Sequence, residues 1–294
     1  VWKNTKPLSL TDRGFSFPAK GMVFCLGMAY LFGSQKQAST MNRLENKIAV
    51  ITGGSGGIGT ATARLFLQED AQVVLVDLSE DKLKEAVQQL GSDRVSYCVA
   101  DVTQAAQVQN YVRFATEKHG RIDVFFNNAG IEGAVKPIEE YPEEMFDKVL
   151  AVNVKGVWLG LKYVMPVMQQ NGGGSIIITS SVAGLAGTPN VSAYVTSKHA
   201  VIGTMRTAAL EGAPHNIRVN TVHPAPIDNR MMRSLEEGFA PGAGTAAKQG
   251  FEAAIPLKRY GTSEEVSQLV LFLATDESRY ITGGTYAVDG GMTA

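Results

Sequence analysis

A tyrosine and a lysine four residues apart, Tyr194 and Lys198, are the side chains in this sequence best suited to proton transfer. On a helix this spacing places both on one face, one turn apart. Free tyrosine has a pKa of about 10, and a nearby ammonium group lowers it by favouring the phenolate. Lowering it by about 3 units requires roughly 4 kcal/mol, of which a lysine can supply part. The pair predicts a general acid/base for a developing alkoxide, although pairs at this spacing are often only surface neighbours.

A nearby serine, Ser181, favours the catalytic interpretation. It follows a predicted strand, residues 176–179. Parallel sheets bind ligands in the crevice beyond the carboxyl ends of their strands, so this hydroxyl is placed to bond a substrate oxygen. The alternative is a capping or turn serine, since Gly184 and Gly187 follow closely.

A glycine-rich turn stands between the first predicted strand and the first predicted helix, and it reads Thr52-Gly-Gly-Ser-Gly-Gly-Ile-Gly59. Glycine allows a tight turn and lets a pyrophosphate approach the backbone beside the helix N-terminus, whose free N–H groups favour anions. A glycine-rich stretch alone is weak support. Its position between a strand and a helix makes a dinucleotide site the favoured interpretation.

An acidic residue, Asp77, ends the second predicted strand eighteen residues after Gly59. This is near the spacing at which a carboxylate accepts hydrogen bonds from the adenosine ribose. A carboxylate there also repels a 2′-phosphate, and Leu78 offers no arginine to receive one. NAD(H) is therefore favoured over NADP(H). The alternative for Asp77 is a helix-entry residue, a duty that Ser79 can share.

Short apolar runs and amphipathic stretches alternate from Met41 onward. The predicted strands are residues 47–51, 73–76, 95–99, 124–126, 176–179, 217–220 and 285–288, and the predicted helices are residues 57–69, 79–90, 142–170 and 192–213. Strands that are apolar on both faces are buried, and parallel neighbours need crossover helices. The pattern predicts an α/β fold, with one doubly wound (Rossmann) domain over residues 41–294 and a parallel sheet of about seven strands.

The composition excludes several classes of protein. The 294 residues carry 27 Lys and Arg against 28 Asp and Glu, a net charge of −1. Without a basic block there is no electrostatic footprint for nucleic acid. The two cysteines, Cys25 and Cys98, lie far apart and lack metal-ligand spacing. This predicts a reduced, cytoplasmic protein with no disulfide framework and no metal site.

The first forty residues need a separate interpretation. An uncharged run, residues 21–33, is too short for a spanning helix of roughly 20 apolar residues, but it fits the apolar segment of a signal peptide. The alternative is a native start at Met41, just before the first strand. We expect residues 1–40 to be a non-native or disordered extension, and we expect no membrane contact for residues 41–294.

The ordered set of motifs resembles the short-chain dehydrogenase/reductase family over essentially all of residues 45–294. The motifs that carry the resemblance are Thr52-Gly53-xxx-Gly57-x-Gly59, Asp101-Val102, Asn127-Asn-Ala-Gly130, Asn153, Ser181, Tyr194-xxx-Lys198 and Asp289-Gly-Gly. One of these motifs can occur by chance, but the whole set in this order is specific.

The resemblance implies a role for each matching residue. Tyr194 would be the general acid/base, and Lys198 would lower its pKa and bond the nicotinamide ribose. Ser181 would orient the substrate carbonyl. Asn153 would hold a water that links Lys198 to solvent; its alternative is a bonded polar residue in an apolar helix. The predicted cofactor contacts are Gly53, Ser55, Gly57, Ile58, Gly59, Asp77, Leu78, Asp101, Val102, Asn128, Gly130, Tyr194, Lys198 and Ile227.

The sequence departs from the family at one place, after the sixth strand. Members usually carry Pro-Gly there, with a threonine four residues after that glycine that contacts the carboxamide. Here Ala225 stands for the glycine and Asn229 for the threonine. Asn229 can still bond an amide, and Ile227 can still supply a backbone contact. We expect altered positioning of the nicotinamide ring rather than lost activity.

Substrate choice is expected to depend on a lid-like stretch, residues 230–242 and on to about residue 254. Met231, Met232 and Phe239 within it suit a modestly apolar substrate, although the stretch can also be a plain pair of amphipathic helices. One interpretation is an NAD-dependent dehydrogenase for a small, cyclic or steroid-like secondary alcohol or ketone.

The competing enzymatic interpretation is a 3-oxoacyl-(acyl-carrier-protein) reductase. Such enzymes usually prefer NADPH and carry basic residues at the ends of two long helices. The matching stretches here, residues 168–171 and 213–216, contain no Arg or Lys. A non-catalytic dinucleotide-binding regulator is a further alternative, which predicts a lost Tyr, Lys or Ser. The resemblance also implies a homotetramer in which the helices of residues 142–170 and 192–213 pack against another subunit.

Overall fold

The strands of the sheet are short runs of branched apolar residues, and most are buried on both faces. A computed structural model describes residues 42–294; the extension expected at residues 1–40 lies outside this range. The strands are β1 (Ile48–Thr52), β2 (Gln72–Asp77), β3 (Val95–Val99), β4 (Val124–Asn127), β5 (Gly174–Thr179), β6 (Ile217–Pro224) and β7 (Thr285–Val288). β1, β4 and the middle of β5 bury every residue, which is the pattern of strands covered by helices on both sides.

All seven strands are parallel and lie in the order β3-β2-β1-β4-β5-β6-β7. The predicted α/β fold with a seven-stranded parallel sheet is confirmed. The chain moves outward from β1 to β3 and then returns to the other side of β1 to form β4. The strand order therefore reverses between β1 and β4, and ligands of such sheets bind at this point, beyond the carboxyl ends of the strands.

The helices cover both faces of the sheet. They are α1 (Gly57–Gln68), α2 (Glu80–Leu90), α3 (Ala105–His119), α4 (Glu143–Leu150), α5 (Val157–Gln170), α6 (Ser192–Gly212), α7 (Arg230–Phe239), α8 (Gly244–Ala254) and α9 (Ser263–Ala274). Buried side chains of α3, α5 and α6 form one core layer, and those of α1, α2 and α9 form the other. Within residues 42–294, no helix is long and apolar enough to cross a membrane.

The long helix expected at residues 142–170 is present and contains one irregular segment. A π-helical segment, Ala151–Gly156, separates α4 from α5. Each turn of such a segment holds an extra residue, so the main-chain bonds are displaced there. The Asn127 side chain compensates by donating a hydrogen bond to the Val157 carbonyl oxygen at 2.9 Å. The predicted helical stretch is present, but its π-helical segment was not predicted, because apolar periodicity does not distinguish an α turn from a π turn.

Candidate active site

The predicted site residues converge on one cleft, at the carboxyl end of the sheet, with a volume of about 840 Å³. The predicted residues that line it are Gly53, Ser55, Gly57, Ile58, Asp77, Leu78, Asp101, Val102, Asn128, Gly130, Ser181, Tyr194, Lys198 and Ile227. The other two, Gly59 and Asn153, lie behind this surface, where both are buried.

The glycine-rich turn is shaped for close backbone approach. Gly53 has a φ of +64°, and a side chain on Gly59 would place its Cβ 2.2 Å from the Gly53 carbonyl oxygen. Among the described residues, no side chain caps the N-terminus of α1, where Gly56 is the N-cap residue. Its first N–H groups therefore point into the cleft without a side-chain acceptor, as a pyrophosphate site requires. The turn fits a dinucleotide.

Gly59→Ala is expected to destabilise the protein by about 3 kcal/mol, because the added methyl group meets rigid backbone. Gly250→Ala is the matched control. Gly250 lies in α8, and nothing stands within 4 Å of its added Cβ, so alanine there should be neutral or stabilise by up to about 1 kcal/mol. Urea unfolding measures both variants. Equal stability of the two would contradict the close contact.

The Asp77 carboxylate is held at the end of β2 by three hydrogen bonds. One oxygen accepts from the Ser55 amide at 3.1 Å and from the Ser55 hydroxyl at 2.6 Å. The other accepts from the Leu78 amide at 2.8 Å. The carboxylate thus joins the glycine-rich turn to the second strand and still faces the cleft. Ser79, not Asp77, caps α2 by accepting from Lys82 N, so the helix-entry alternative for Asp77 is not needed.

Two threonines, Thr52 and Thr179, connect the turn to the centre of the sheet, a role that no sequence pattern indicated. The Thr52 hydroxyl accepts hydrogen bonds from the amides of Asn128 and Ala129, at 2.9 and 3.1 Å. Asn128 donates in turn to the Thr52 carbonyl oxygen and accepts from the Thr179 hydroxyl at 2.9 Å. The ends of β1, β4 and β5 are therefore cross-linked beneath the cleft.

The tyrosine and lysine lie on α6 and face the cleft together. The Lys198 ammonium is 5.5 Å from the centre of the Tyr194 ring. Its Nζ donates to the Thr179 carbonyl oxygen at 2.9 Å, so the end of β5 fixes the position of the charge. Lys198 is only 3% exposed, and a lysine is rarely so buried without a specific role.

Burial changes the pKa of both side chains, in opposite directions. Burial raises the pKa of Tyr194 to about 12; the Ser181 hydroxyl lowers it and the Glu132 charge raises it further. Burial also lowers the pKa of Lys198 to about 8. In the protein without a cofactor, the Lys198 charge does not offset the effect of burial on the pKa of Tyr194. A further positive charge in the cleft would lower the pKa of this phenol.

Asn153 lies in the π-helical segment and is fully buried. Its Oδ1 accepts from the Ile131 amide at 2.9 Å, while its Nδ2 donates to the Ile131 carbonyl oxygen and to the Ser197 hydroxyl. A Cβ on Gly130 would lie 3.3 Å from Asn153 Oδ1 and 3.4 Å from Lys198 Nζ. Because Gly130 has no side chain, a small space remains beside it. An atom in that space would lie within hydrogen-bonding distance of both Asn153 Oδ1 and Lys198 Nζ.

Ser181 is the N-cap of a short 3₁₀ turn after β5 and is 9% exposed. Its hydroxyl accepts from the Ala183 amide at 3.2 Å and makes a long contact, 3.4 Å, to the Pro224 carbonyl oxygen. The predicted capping alternative is thus present in the structure. It does not exclude the catalytic role, because the hydrogen bond that the hydroxyl donates is long and Ser181 lines the cleft.

The departure from the family pattern lies on the cleft wall. Ala225 continues the sheet by donating its amide to the Val288 carbonyl oxygen at 3.0 Å. Asn229 caps α7, and its Oδ1 accepts from the Met232 amide at 3.2 Å. The capping bond leaves the Asn229 amide hydrogens available to a ligand. Ile227 is buried between these two residues and lines the cleft.

The stretch predicted to be lid-like forms two amphipathic helices, α7 and α8. This is the secondary structure of the alternative prediction, a pair of helices. The apolar faces of these helices still line the cleft, through Met231, Met232, Leu235, Phe239 and Phe251. Phe239 and Phe251 pack edge to face, with ring centres 5.5 Å apart. Arg230 at the start of α7 pairs with the nearly buried Glu132, at 3.2 Å. Apart from this ion pair, the wall of the cleft formed by α7 and α8 is largely apolar.

Comparison with known proteins agrees with this geometry. The family model described as Enoyl-(Acyl carrier protein) reductase matches residues 53–293. Levodione reductase of Leifsonia aquatica is 39% identical over 261 residues, which cover 87% of this chain and 98% of the relative. The 3-oxoacyl-(acyl-carrier-protein) reductase of Thermotoga maritima is 41% identical, covering 85% and 99%. Cyclohexanol dehydrogenase of an Acinetobacter species is 35% identical, covering 86% and 97%.

Solved structures show the same similarity. The crystal structure of levodione reductase superposes with a TM-score of 0.83 at 38% identity, covering 85% of this chain and 98% of that one. That of NAD⁺-bound xylitol dehydrogenase superposes with a TM-score of 0.80 at 34% identity, covering 85% and 100%. The chain belongs to the short-chain dehydrogenase/reductase family, as the motifs predicted. It is an oxidoreductase of that family.

Proposed function

We propose that this protein is an NAD(H)-dependent oxidoreductase that interconverts a secondary alcohol and a ketone. The observation that carries the proposal is the convergence of Tyr194, Lys198 and Ser181 in one cleft with the glycine-rich turn. Relatives named for a dione and for cyclohexanol support this substrate class. The apolar wall formed by α7 and α8 suits a small, cyclic or steroid-like molecule.

The proposed chemistry divides the work between the protein and the nicotinamide. When bound, the reduced nicotinamide supplies a hydride to the carbonyl carbon. In the same reduction the Tyr194 hydroxyl gives its proton to the carbonyl oxygen, so that a neutral alcohol forms. Ser181 donates a hydrogen bond to that oxygen and holds it beside Tyr194. Alcohol oxidation runs the same steps in reverse, with Tyr194 accepting the proton.

Lys198 has two proposed duties, to bond the nicotinamide ribose and to stabilise the Tyr194 phenolate. The charge of oxidised nicotinamide would add to that of Lys198. Together they would lower the pKa of Tyr194, which is raised in the protein without a cofactor. The space beside Gly130, within reach of both Asn153 Oδ1 and Lys198 Nζ, supports a water-mediated proton path at the predicted position. Asn153 is accordingly proposed as a relay residue.

The proposed cofactor is NAD(H), on the strength of the Asp77 carboxylate. Asp77→Asn is expected to reduce the preference for NADH over NADPH about tenfold or more, because a neutral amide no longer repels the 2′-phosphate. The measurement is kcat/KM for each cofactor with one ketone. Asp81→Asn, which removes an exposed acid in the first turn of α2, should leave the ratio unchanged. A wild-type preference for NADPH would overturn the assignment.

The second candidate function is reduction of a 3-oxoacyl thioester. The family description and the Thermotoga maritima relative favour it. The ends of α5 and α6 oppose it, because residues 168–171 and 213–216 carry no Arg or Lys for an acidic carrier. Assaying acetoacetyl-coenzyme A beside a cyclic ketone tests the choice. A clear preference for the thioester would replace the first proposal with the second.

The assembly is proposed to be a homotetramer. Two large apolar side chains on the long helices are open to solvent, Trp158 on α5 at 49% and Leu210 on α6 at 79% exposed. Exposed apolar groups on neighbouring helices suit a symmetric contact with another copy. Light scattering that gives the mass of a monomer would contradict this. The cytoplasmic location stays a prediction from the composition.

A further inference from the structure

A fully buried histidine, His223, lies directly behind the proposed catalytic serine. It stands near the carboxyl end of β6 and has no exposed surface. Its Nδ1 lies 2.9 Å from the Ser181 carbonyl oxygen, and its Nε2 lies 2.8 Å from the Thr221 hydroxyl. Both ring nitrogens are thus engaged within the protein, and neither reaches the cleft.

The partners of the ring determine where its proton is. The Ser181 carbonyl oxygen can only accept, so Nδ1 must carry the hydrogen and donate it. Burial lowers the pKa of His223, which keeps the imidazole neutral, so Nε2 is an acceptor. The Thr221 hydroxyl is closer to Nε2, at 2.8 Å, than to its other acceptor, the Gly284 carbonyl oxygen at 3.3 Å. Residues two apart on a strand share a face, so Thr221 is well placed for this. The ring has one tautomer and one orientation.

The ring extends the pairing between β5 and β6 beyond the end of β5. The last pair in register is Thr179 with Val222, and the Ser180 amide donates to the Val222 carbonyl oxygen at 2.9 Å. The chain then turns away, and the His223 side chain supplies the next bond, to Ser181. The Ser181 carbonyl oxygen also accepts from the Gly184 amide at 2.8 Å, so it is held from two sides.

We infer that His223 is a positioning residue whose Nδ1–H bond to the Ser181 main chain sets the position of the Ser181 hydroxyl for the reaction. The inference rests on the proposed function, since it acts through Ser181. A displacement of about 1 Å at a reacting group can cost about a hundredfold in rate. The loss of this bond should therefore appear mainly in kcat for the ketone and hardly in KM for NADH.

A double-mutant cycle tests the inference. His223→Leu is expected to lower kcat about 10- to 100-fold, and His223→Asn, whose amide can still donate to Ser181, should recover most of that loss. In a Ser181→Ala background, His223→Leu should cost less than about threefold, because the positioned group is gone. An equal loss in both backgrounds would overturn the inference. If the wild type reduces none of a set of cyclic and acyclic ketones, it is the proposed function that fails.

Two further measurements separate positioning from stability. Val222→Ala removes a buried side chain from the same strand, and it should lower the urea midpoint without lowering kcat more than about threefold. The ¹⁵N shifts of His223, assigned by their absence in His223→Asn, report the tautomer without any substrate. Protonated Nδ1 and bare Nε2 are expected. Protonated Nε2 with bare Nδ1 would overturn the inference, whether or not an activity is found.

Discussion

Tyr194→Phe is expected to lower kcat for ketone reduction by about a thousandfold. The substitution removes only the phenol oxygen, and a positioned acid/base typically contributes about 10²- to 10⁴-fold. The ring still packs beside Lys198, so folding and NADH binding should be retained. Steady-state NADH consumption measures the rate, and NADH fluorescence measures binding. The contrast between lost turnover and intact binding is the signature of a proton donor.

The matched control for this variant is Tyr163→Phe. Tyr163 lies on α5, packed against the core and away from the cleft, so the loss of its hydroxyl should leave kcat within about twofold. Equal rates for wild type and Tyr194→Phe would contradict the proposed chemistry. A loss of rate in both variants would point instead to a general effect on the fold.

Lys198→Met is expected to lower kcat by about 10²- to 10³-fold while leaving the protein about as stable as the wild type at pH 7. Removal of one preorganised charge from an active site typically has a cost of that size. The stability expectation follows from burial, since the lowered pKa of Lys198, about 8, corresponds to a penalty of about 3 kcal/mol for the buried charge. Loss of the hydrogen bond to Thr179 offsets part of the gain.

The pH dependence of this difference has a definite sign. Below pH 8 both the folded and the unfolded chain keep the Lys198 proton, so the wild type bears the full penalty. Between the folded pKa, about 8, and the ordinary value of 10.5, the unfolded state binds more protons and the stability of the wild type rises. Relative to Lys198→Met, the wild type should gain about 2 kcal/mol from pH 7 to pH 9.5.

Urea unfolding at the two pH values measures this gain. Lys155→Met, at an exposed lysine of the π-helical segment, is the control and should show no such change. A pH-independent difference between wild type and Lys198→Met would show that the ammonium group is well solvated. A strongly destabilised but active Lys198→Met would contradict the role of this charge in catalysis.

The fold was predictable because each of its parts leaves a local pattern. β1 and β5 each contain a short run of apolar residues, 48–51 and 176–178, and Asp77 lies eighteen residues after the glycine-rich turn. The helices α3 and α9 were not predicted, although α9 begins with a clear capping box at Thr262, and α7 and α8 were predicted only as the alternative to a lid. The strands of the sheet were therefore easier to predict from the sequence than the helices that cover it.

The parts of the site that are formed by side chains were predictable, and the parts that are formed by the backbone were not. Tyr194 and Lys198 are recognisable by type and spacing. The Thr179 carbonyl oxygen, which fixes Lys198, leaves no trace in the sequence because any residue could supply it. The π-helical segment around Asn153 depends on tertiary bonds to Ile131. His223 is one of three buried polar residues of β6, with Asn220 and Thr221, so its residue type alone did not indicate its role.

The most direct test of the account is to follow the hydride itself. Wild-type protein is incubated with NADH that carries deuterium at both C4 positions of the nicotinamide, together with a panel of cyclic and acyclic ketones, and the products are analysed by mass spectrometry. The account predicts a secondary alcohol with one deuterium on the carbinol carbon, and almost none from Tyr194→Phe over the same period. An alcohol without deuterium, or no alcohol from any ketone in the panel, would contradict it.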